Sequence, residues 1–385
     1  MRLIQVRCKA PEAAKISNKT TNKMTKKTTN KTTNKISSRK LTPVSALGEF
    51  GLIDRLTAKL RVGHPETVRG VGDDTAVLDF GKYYTLVTKD LLIEDIHFDI
   101  VYTPLRHLGY KAITVNLSDI YAMNGEPLQV LVGLAVSSKY SVEGLDELYS
   151  GMAYACERYG VDLAGGDTTL CPSGMMLSIT VVGRVEKDRV VYRGGASENE
   201  LICVSGDLGA AYMGLLVLER EKHVFKVNPG MQPDLGRYAY VLERQLKPEA
   251  GRHTIQKLSD AGVLPTSMID ISDGLASEVL HLCRHAQRGA VIYEEKIPVN
   301  REMATVAHEF GIDPSTAALN GGEDYELLFT IKPSHYEKIK EVEGITPIGH
   351  MTGSNEKAVL ITTSGQQVEI TAQGWDSFRT EGLRD

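Results

Sequence analysis

No stretch of this 385-residue sequence approaches the ~18 consecutive apolar residues that a membrane-spanning helix requires, residues 128–136 being about the longest largely apolar run. A membrane partner is therefore not expected. Cysteine is scarce: Cys8, Cys156, Cys171, Cys203 and Cys283 form no Cys-x-x-Cys pair, and their number is odd. That argues against a disulfide scaffold or a zinc finger and for a reducing compartment, so a cytoplasmic location is expected. Tryptophan occurs once, as Trp375. Familiar nucleotide and hydrolase signatures are missing too. There is no GxxxxGK[ST]; the segment Gly70-Val-Gly-Asp-Asp-Thr75 lacks its length and its lysine. The same segment fails to complete GxGxxG because Thr75 replaces the last glycine. The protein-kinase set and GxSxG are also absent. His281 and His285 have i, i+4 spacing but no acidic general base in the zinc-protease pattern, so they read as a helix-face coincidence.

What is present is unevenly charged. Residues 1–45 hold 12 Lys/Arg and one acid, Glu12, leaving 32 basic and 48 acidic residues in the remainder. The first part repeats Asn-Lys-Thr, has almost no apolar periodicity, and cannot repay the entropy of ordering. It reads as a disordered tail upstream of the folded part, with Met24 as a later start candidate. It lacks the apolar core of a signal peptide, and a nucleic-acid arm is not the favoured reading. From Gly48 onward strand and helix signals alternate. Residues 85–88, 128–136, 175–185, 201–205, 290–293 and 326–331 read as strands; 105–123, 142–159, 208–219 and 274–285 read as helices. The expected organisation is an α/β (or α+β) fold: a tail at 1–45, an N-terminal domain at 46–192 and a C-terminal domain at 193–385.

The chemistry lies in segments where Asp sits beside Gly, Ser or Thr: Gly72-Asp-Asp74-Thr, Thr88-Lys89-Asp90, Asn116-Leu-Ser-Asp119, Gly165-Gly166-Asp167-Thr, Asp270-Ile-Ser272-Asp273-Gly and Gly321-Gly-Glu323-Asp324. Any one of them is explained as a turn or helix cap. Six together, mostly abutting strand or helix ends, point to a site, because ligands of α/β folds gather there. Converging carboxylates repel unless cations lie between them, and hard oxygen ligands select Mg²⁺ or Ca²⁺. Glycines beside such carboxylates let backbone N–H groups approach phosphate, so the set suits a Mg²⁺-nucleotide.

The ordered run Gly48-Glu-Phe, Gly72-Asp-Asp, Asp90…Glu94-Asp95-Ile-His97-Phe, Tyr110-Lys-Ala…Asn116-Leu-Ser-Asp119, Gly165-Gly-Asp167-Thr, Asp270-Ile-Ser-Asp273-Gly and Gly321-Gly-Glu-Asp-Tyr-Glu closely resembles the thiamine-monophosphate kinase family. That family belongs to the aminoimidazole-ribonucleotide synthetase superfamily, and the resemblance spans roughly residues 47–380. It implies a homodimer of two-domain subunits, dimerising through the N-terminal domain. It implies ATP as co-substrate, several Mg²⁺ ions, and phosphorylation of thiamine monophosphate to thiamine diphosphate. By position, Asp74, Thr88, Lys89, Asp90, Asp119, Asp167, Asp270 and Asp273 would hold metal. Gly166, Asp167, Arg193, Ser272 and Tyr149 would contact ATP, and His97, Glu323 and Trp375 would hold thiamine monophosphate. The nucleophile is a phosphate oxygen, largely dianionic at neutral pH because its second pKa is ~6, so no general base is required.

Some positions depart from the family pattern. Lys89 stands where Thr or Ser is common, so its metal contact persists only through the backbone. Asp95 replaces a usual glycine, and Asn124-Gly-Glu126 replaces a tighter Met-Gly-Ala. The competing readings are a sister enzyme of the superfamily and a non-catalytic nucleotide-binding paralogue. The reactive-cysteine members fit poorly, since Cys8 lies in the tail and the chain ends Gly-Leu-Arg-Asp.

Overall fold

The computed structural model of the protein describes residues 41–372 apart from Gln232 and Asn355; most of the basic N-terminal segment, and Trp375, lie outside the described residues. The first sheet contains β1 (Thr67–Arg69), β2 (Ala76–Asp79), β3 (Tyr83–Ile93), β4 (Glu126–Val136), β5 (Asp162–Leu170) and β6 (Met175–Glu186). Its order is β1-β2-β3-β6-β4-β5, and only β4–β5 is parallel. The second contains β7 (Leu201–Ser205), β8 (Ser267–Asp270), β9 (Ala290–Tyr293), β10 (Leu327–Ile331), β11 (Ile345–Met351), β12 (Ala358–Ile361) and β13 (Gln367–Glu369). It runs β13-β12-β9-β11-β7-β10-β8, with β12–β9 its parallel pair. The fold is mixed α/β, and the two sheets come from successive halves of the chain.

The helices that place the site are α1 (Gly48–Thr57), α2 (Leu105–Ala122), α3 (Val142–Tyr159), α4 (Ala210–Val227), α5 (Ala239–Leu246), α6 (Arg252–Asp260) and α7 (Leu275–Ala286). Helix α3 begins where the Ser141 side chain accepts from the Gly144 N–H and ends at Gly160, whose φ of 70° stops it. It provides the crossover that the parallel β4–β5 pair requires. Helix α2 lies against α3 at glycines on both: a Cβ on Gly109 would strike the Leu148 carbonyl, and one on Gly151 the Arg106 carbonyl. Its other side meets the second sheet, Ala122 joining Cys203, Met268 and Phe329 in one apolar cluster. Helix α2 is therefore buried nearly all round, and polar residues such as Lys111, Asn116 and Ser118 are buried with it.

Three regions differ from the sequence expectation. Helix α4 does not stop at residue 219 but continues to Val227. Strand β3 continues past residues 85–88 through Lys89 and Asp90 to Ile93, because alternation places Leu86 and Thr88 inward and Lys89 outward. The Gly165-Gly-Asp167 segment is not a turn at an element end but the middle of β5, an edge strand exposed along its whole length. Pairing with β4 overrides the poor strand propensity of glycine and aspartate.

Candidate active site

Asp74 precedes β2, Asp119 lies in the last turn of α2, and Asp270 ends β8. One carboxylate oxygen from each lies within 4.8 Å of the others. Asp119 Oδ2 accepts from Thr88 Oγ1 at 2.5 Å. Asp90, two residues further along β3, adds its charge to the same region, and its backbone N–H donates to Asn116 Oδ1 at 3.2 Å. Burial, and then the other carboxylates, raise these acids: Asp119 well above its usual value and Asp270 to about 7. Asp90 rises to about 6 through burial and then the charge of Glu49 on α1. Arg193 supplies the counter-charge. Its Nη2 and Nε donate to Asp74 Oδ1 at 2.6 and 3.1 Å, and its backbone N–H donates to Asp73 Oδ1. Asp74 Oδ2 is buried and has no hydrogen-bond partner among the described residues. Three converging carboxylates, with one oxygen orphaned, form a donor set that suits a hard divalent cation.

A second polar group adjoins the first. The Ile93 N–H donates to His97 Nδ1 at 3.0 Å, which fixes the ring proton on Nε2. Burial lowers the His97 pKa, so the ring is neutral at physiological pH, with the Glu323 charge the largest influence opposing that shift. The Glu323 carboxylate is held from both sides: Lys111 Nζ lies 2.9 Å from Oε1, and Gln245 Nε2 donates to Oε2 at 2.7 Å. Glu323 and Tyr325 adopt φ of 65° and 52°. These left-handed conformations turn the segment back along residues 271–272, where the Glu323 N–H donates to the Ser272 carbonyl and the Tyr325 N–H to the Ile271 carbonyl. These two backbone bonds set Glu323 beside residues 270–273, so the second group adjoins the carboxylate cluster through Asp270.

The remaining sequence candidates are spread differently. Asp273 follows Ser272, and its N–H donates to Glu278 Oε1 at 3.1 Å. Lys89 turns away from Thr88 and Asp90, its Nζ reaching Ser178 and Thr180 on β6, so only its backbone faces the acidic region. Gly166 and Asp167 lie on exposed β5, where Asp167 Oδ1 accepts from the Thr168 N–H. A Cβ on Gly166 would collide with the Val132 carbonyl. Tyr149 lies on α3, half-buried against the apolar cluster that includes Leu148, Met152 and residues of α2 and the first sheet. Trp375 lies outside the described residues. His281 packs edge-on against Phe50, ring centroids 4.5 Å apart, and burial lowers its pKa to about 4.

Sequence reasoning gave no role to Lys111, quoted only within the Tyr110-Lys-Ala run, and did not single out Gln245 or Glu278. Lys111 and Gln245 are buried polar residues inside ordinary helical segments. Glu278 had a signal, a carboxylate in the first turn after Asp270-Ile-Ser-Asp-Gly, and burial followed by the Asp273 charge raises it well above its usual value.

Residues 72–185 match the family described as AIR synthase related protein, N-terminal domain. Residues 72–185, which carry most of the first sheet together with Asp74 and Asp119, thus form a domain of the AIR synthase-related class. Thiamine-monophosphate kinase of Bacillus subtilis (strain 168) is 30% identical over 340 residues, 86% of this chain and 100% of the relative. Its counterpart in Escherichia coli (strain K12) is 32% identical over 347 residues, 87% and 99% of the two chains. A solved structure of AaThiL complexed with AMPPCP and TMP superposes with a TM-score of 0.75 at 30% identity, covering 87% of this chain and 99% of that one. The hydrogenase maturation protein HypE in complex with ATP shares the fold, with a TM-score of 0.61 at 18% identity over 86% of this chain and 98% of that one. The chain belongs to the thiamine-monophosphate kinase family.

Proposed function

We propose that this protein transfers the γ-phosphoryl group of ATP to the phosphate of thiamine monophosphate, giving ADP and thiamine diphosphate. The observation that carries the reading is the junction of the two groups: a cation-type carboxylate cluster with Arg193 on one side, and His97, Lys111 and Glu323 on the other. The AaThiL complex holds an ATP analogue and TMP together, and this chain has the same fold and family.

Asp74, Asp90, Asp119, Asp270 and Asp273, with Thr88, the Lys89 backbone and Asp167, would hold Mg²⁺ ions. Bound there, Mg²⁺ would neutralise the repulsion between the two phosphates and the carboxylates. The chain's own groups position the reactants. Arg193 anchors Asp74 and adds positive charge beside the nucleotide. His97, its proton fixed on Nε2, offers a neutral donor; Glu323, held from two sides, is a fixed acceptor for the substrate. No side chain is needed as a general base, because the attacking phosphate oxygen is already ionised.

We read residues 46–192 and 193–385 as two domains, each built on one sheet. The active unit is a homodimer, with Gly166, Asp167 and the rest of the exposed β5 edge covered by a second copy; an unpaired edge of this length invites such pairing. Gly166, Asp167, Ser272 and Tyr149 remain the ATP candidates, and Trp375 a thiamine candidate. No described helix is long and apolar enough to cross a membrane, and Cys156, Cys171, Cys203 and Cys283 are free thiols. We place the protein in the cytoplasm. The test is purified protein with ATP, Mg²⁺ and thiamine monophosphate, followed for thiamine diphosphate, with EDTA and free thiamine as controls. Metal-dependent product from the phosphate ester alone is expected; no product from it would refute the reading.

A further inference from the structure

Of the two polar atoms of the Gln245 side chain, only the nitrogen has a hydrogen-bond partner among the described residues. Gln245 lies in the last turn of α5 with 5% of its surface exposed. Its backbone carbonyl accepts from Lys111 Nζ at 3.0 Å, and its Nε2 donates to Glu323 Oε2 at 2.7 Å. Its Oε1 is buried and has no partner among the described residues. The amide cannot be reversed to relieve this, because a carboxylate only accepts and so requires the Nε2 side. The neighbouring Arg244 guanidinium, fixed by Glu326 Oε1 at 2.9 Å and the Asp207 carbonyl at 3.0 Å, holds this turn of α5 in place.

Because Oε1 and Nε2 share one carbon, the orphaned acceptor lies beside the Glu323 carboxylate. That carboxylate has one protein donor on each oxygen and so retains lone pairs, and 29% of its side chain is exposed. Two adjacent acceptors, one anionic and one neutral, match a primary amino group on a flat ring, whose two hydrogens diverge toward different partners. Thiamine monophosphate carries one such group, the amino substituent of its pyrimidine. We propose that Gln245 is a specificity-determining residue: its Oε1 accepts one N–H of that amino group while Glu323 accepts the other. This rests on the function proposed above and deepens it. Burying an acceptor and completing it only with the correct substrate is the arrangement that rejects analogues lacking the donor.

The test compares the wild-type enzyme and Gln245→Leu on thiamine monophosphate and on its analogue with hydrogen in place of the pyrimidine amino group. The wild type is expected to lose at least about tenfold in kcat/KM on the analogue, the worth of a buried hydrogen bond. Gln245→Leu is expected to lose a similar factor on thiamine monophosphate and to discriminate between the two substrates at least about fivefold less than the wild type, the discrimination that remains coming from the Glu323 contact. Discrimination as strong in Gln245→Leu as in the wild type would overturn the proposal, showing that the amino group is read elsewhere. An equal loss on both substrates would also overturn it, leaving Gln245 as support for Glu323 alone. Should Gln245→Leu fail to fold by circular dichroism, the wild type still decides, since equal use of both substrates refutes the assignment. A wild type inactive on both compounds would instead refute the kinase reading itself.

Discussion

Replacing Asp270 by Asn should stabilise the metal-free protein while abolishing turnover. The Asp270 carboxyl is 4% exposed and lies within 4.8 Å of carboxylate oxygens from Asp74 and Asp119. Burial, and then the charge of Asp74, raise its pKa from 3.8 to about 7. In the folded chain it therefore holds a proton that the unfolded chain releases between those two values, and stability falls as pH rises through the window. The shift corresponds to about 4 kcal/mol. Asn keeps the shape and never ionises. Urea unfolding in EDTA should show the variant equal to wild type near ~pH 4 and more stable by about 2–4 kcal/mol near ~pH 8. Added Mg²⁺ should then stabilise the wild type and leave the variant behind, because ligand binding to the folded state raises its stability. A variant that matches wild type at both pH values in EDTA, or is weaker near ~pH 8, would refute the reasoning.

Two further perturbations probe the neighbouring residues. Asp95 adopts φ of 66°, which explains why glycine is usual there; Asp95→Gly should gain about 0.5–1 kcal/mol in denaturant unfolding. Asp95→Ala should lose stability instead, and an Ala variant as stable as the Gly one would contradict the strain. Lys111 ties α2 to the Gln245 carbonyl and to Glu323, with its side chain 5% exposed. Lys111→Met leaves Glu323 without its cation but still partly hydrated, so a loss of about 2–3 kcal/mol is expected, at or below the low end for broken buried pairs. KM for thiamine monophosphate should rise with it, and unchanged stability and KM would show that the pair contributes nothing.

Local chemistry fixed many of the elements. Helix α3 runs over residues 142–159 as expected, since the Ser141 cap, the Gly160 stop and the apolar spacing agree. The short apolar runs at 201–205 and 290–293 are strands β7 and β9. The ordered Asp-Gly and Asp-Ser segments were enough to mark the family, because their residue types and order are legible without any tertiary contact. Only the tertiary structure decided which of them meet. Asp74, Asp119 and Asp270 come from a loop, a helix and a strand end, and no local spacing relates them. Asp167 carries the same kind of motif yet stands on an exposed edge strand, within a pairing that glycine and aspartate do not favour by themselves. The roles of Lys111 and Gln245 were illegible for a different reason. A polar residue in a helix is ordinarily solvated, and these two are buried because α2 is packed on both sides and α5 closes against Glu323. Composition and periodicity report what each segment prefers alone; a carboxylate cluster or a buried amide takes its chemistry from charges and donors that other segments bring within a few ångströms.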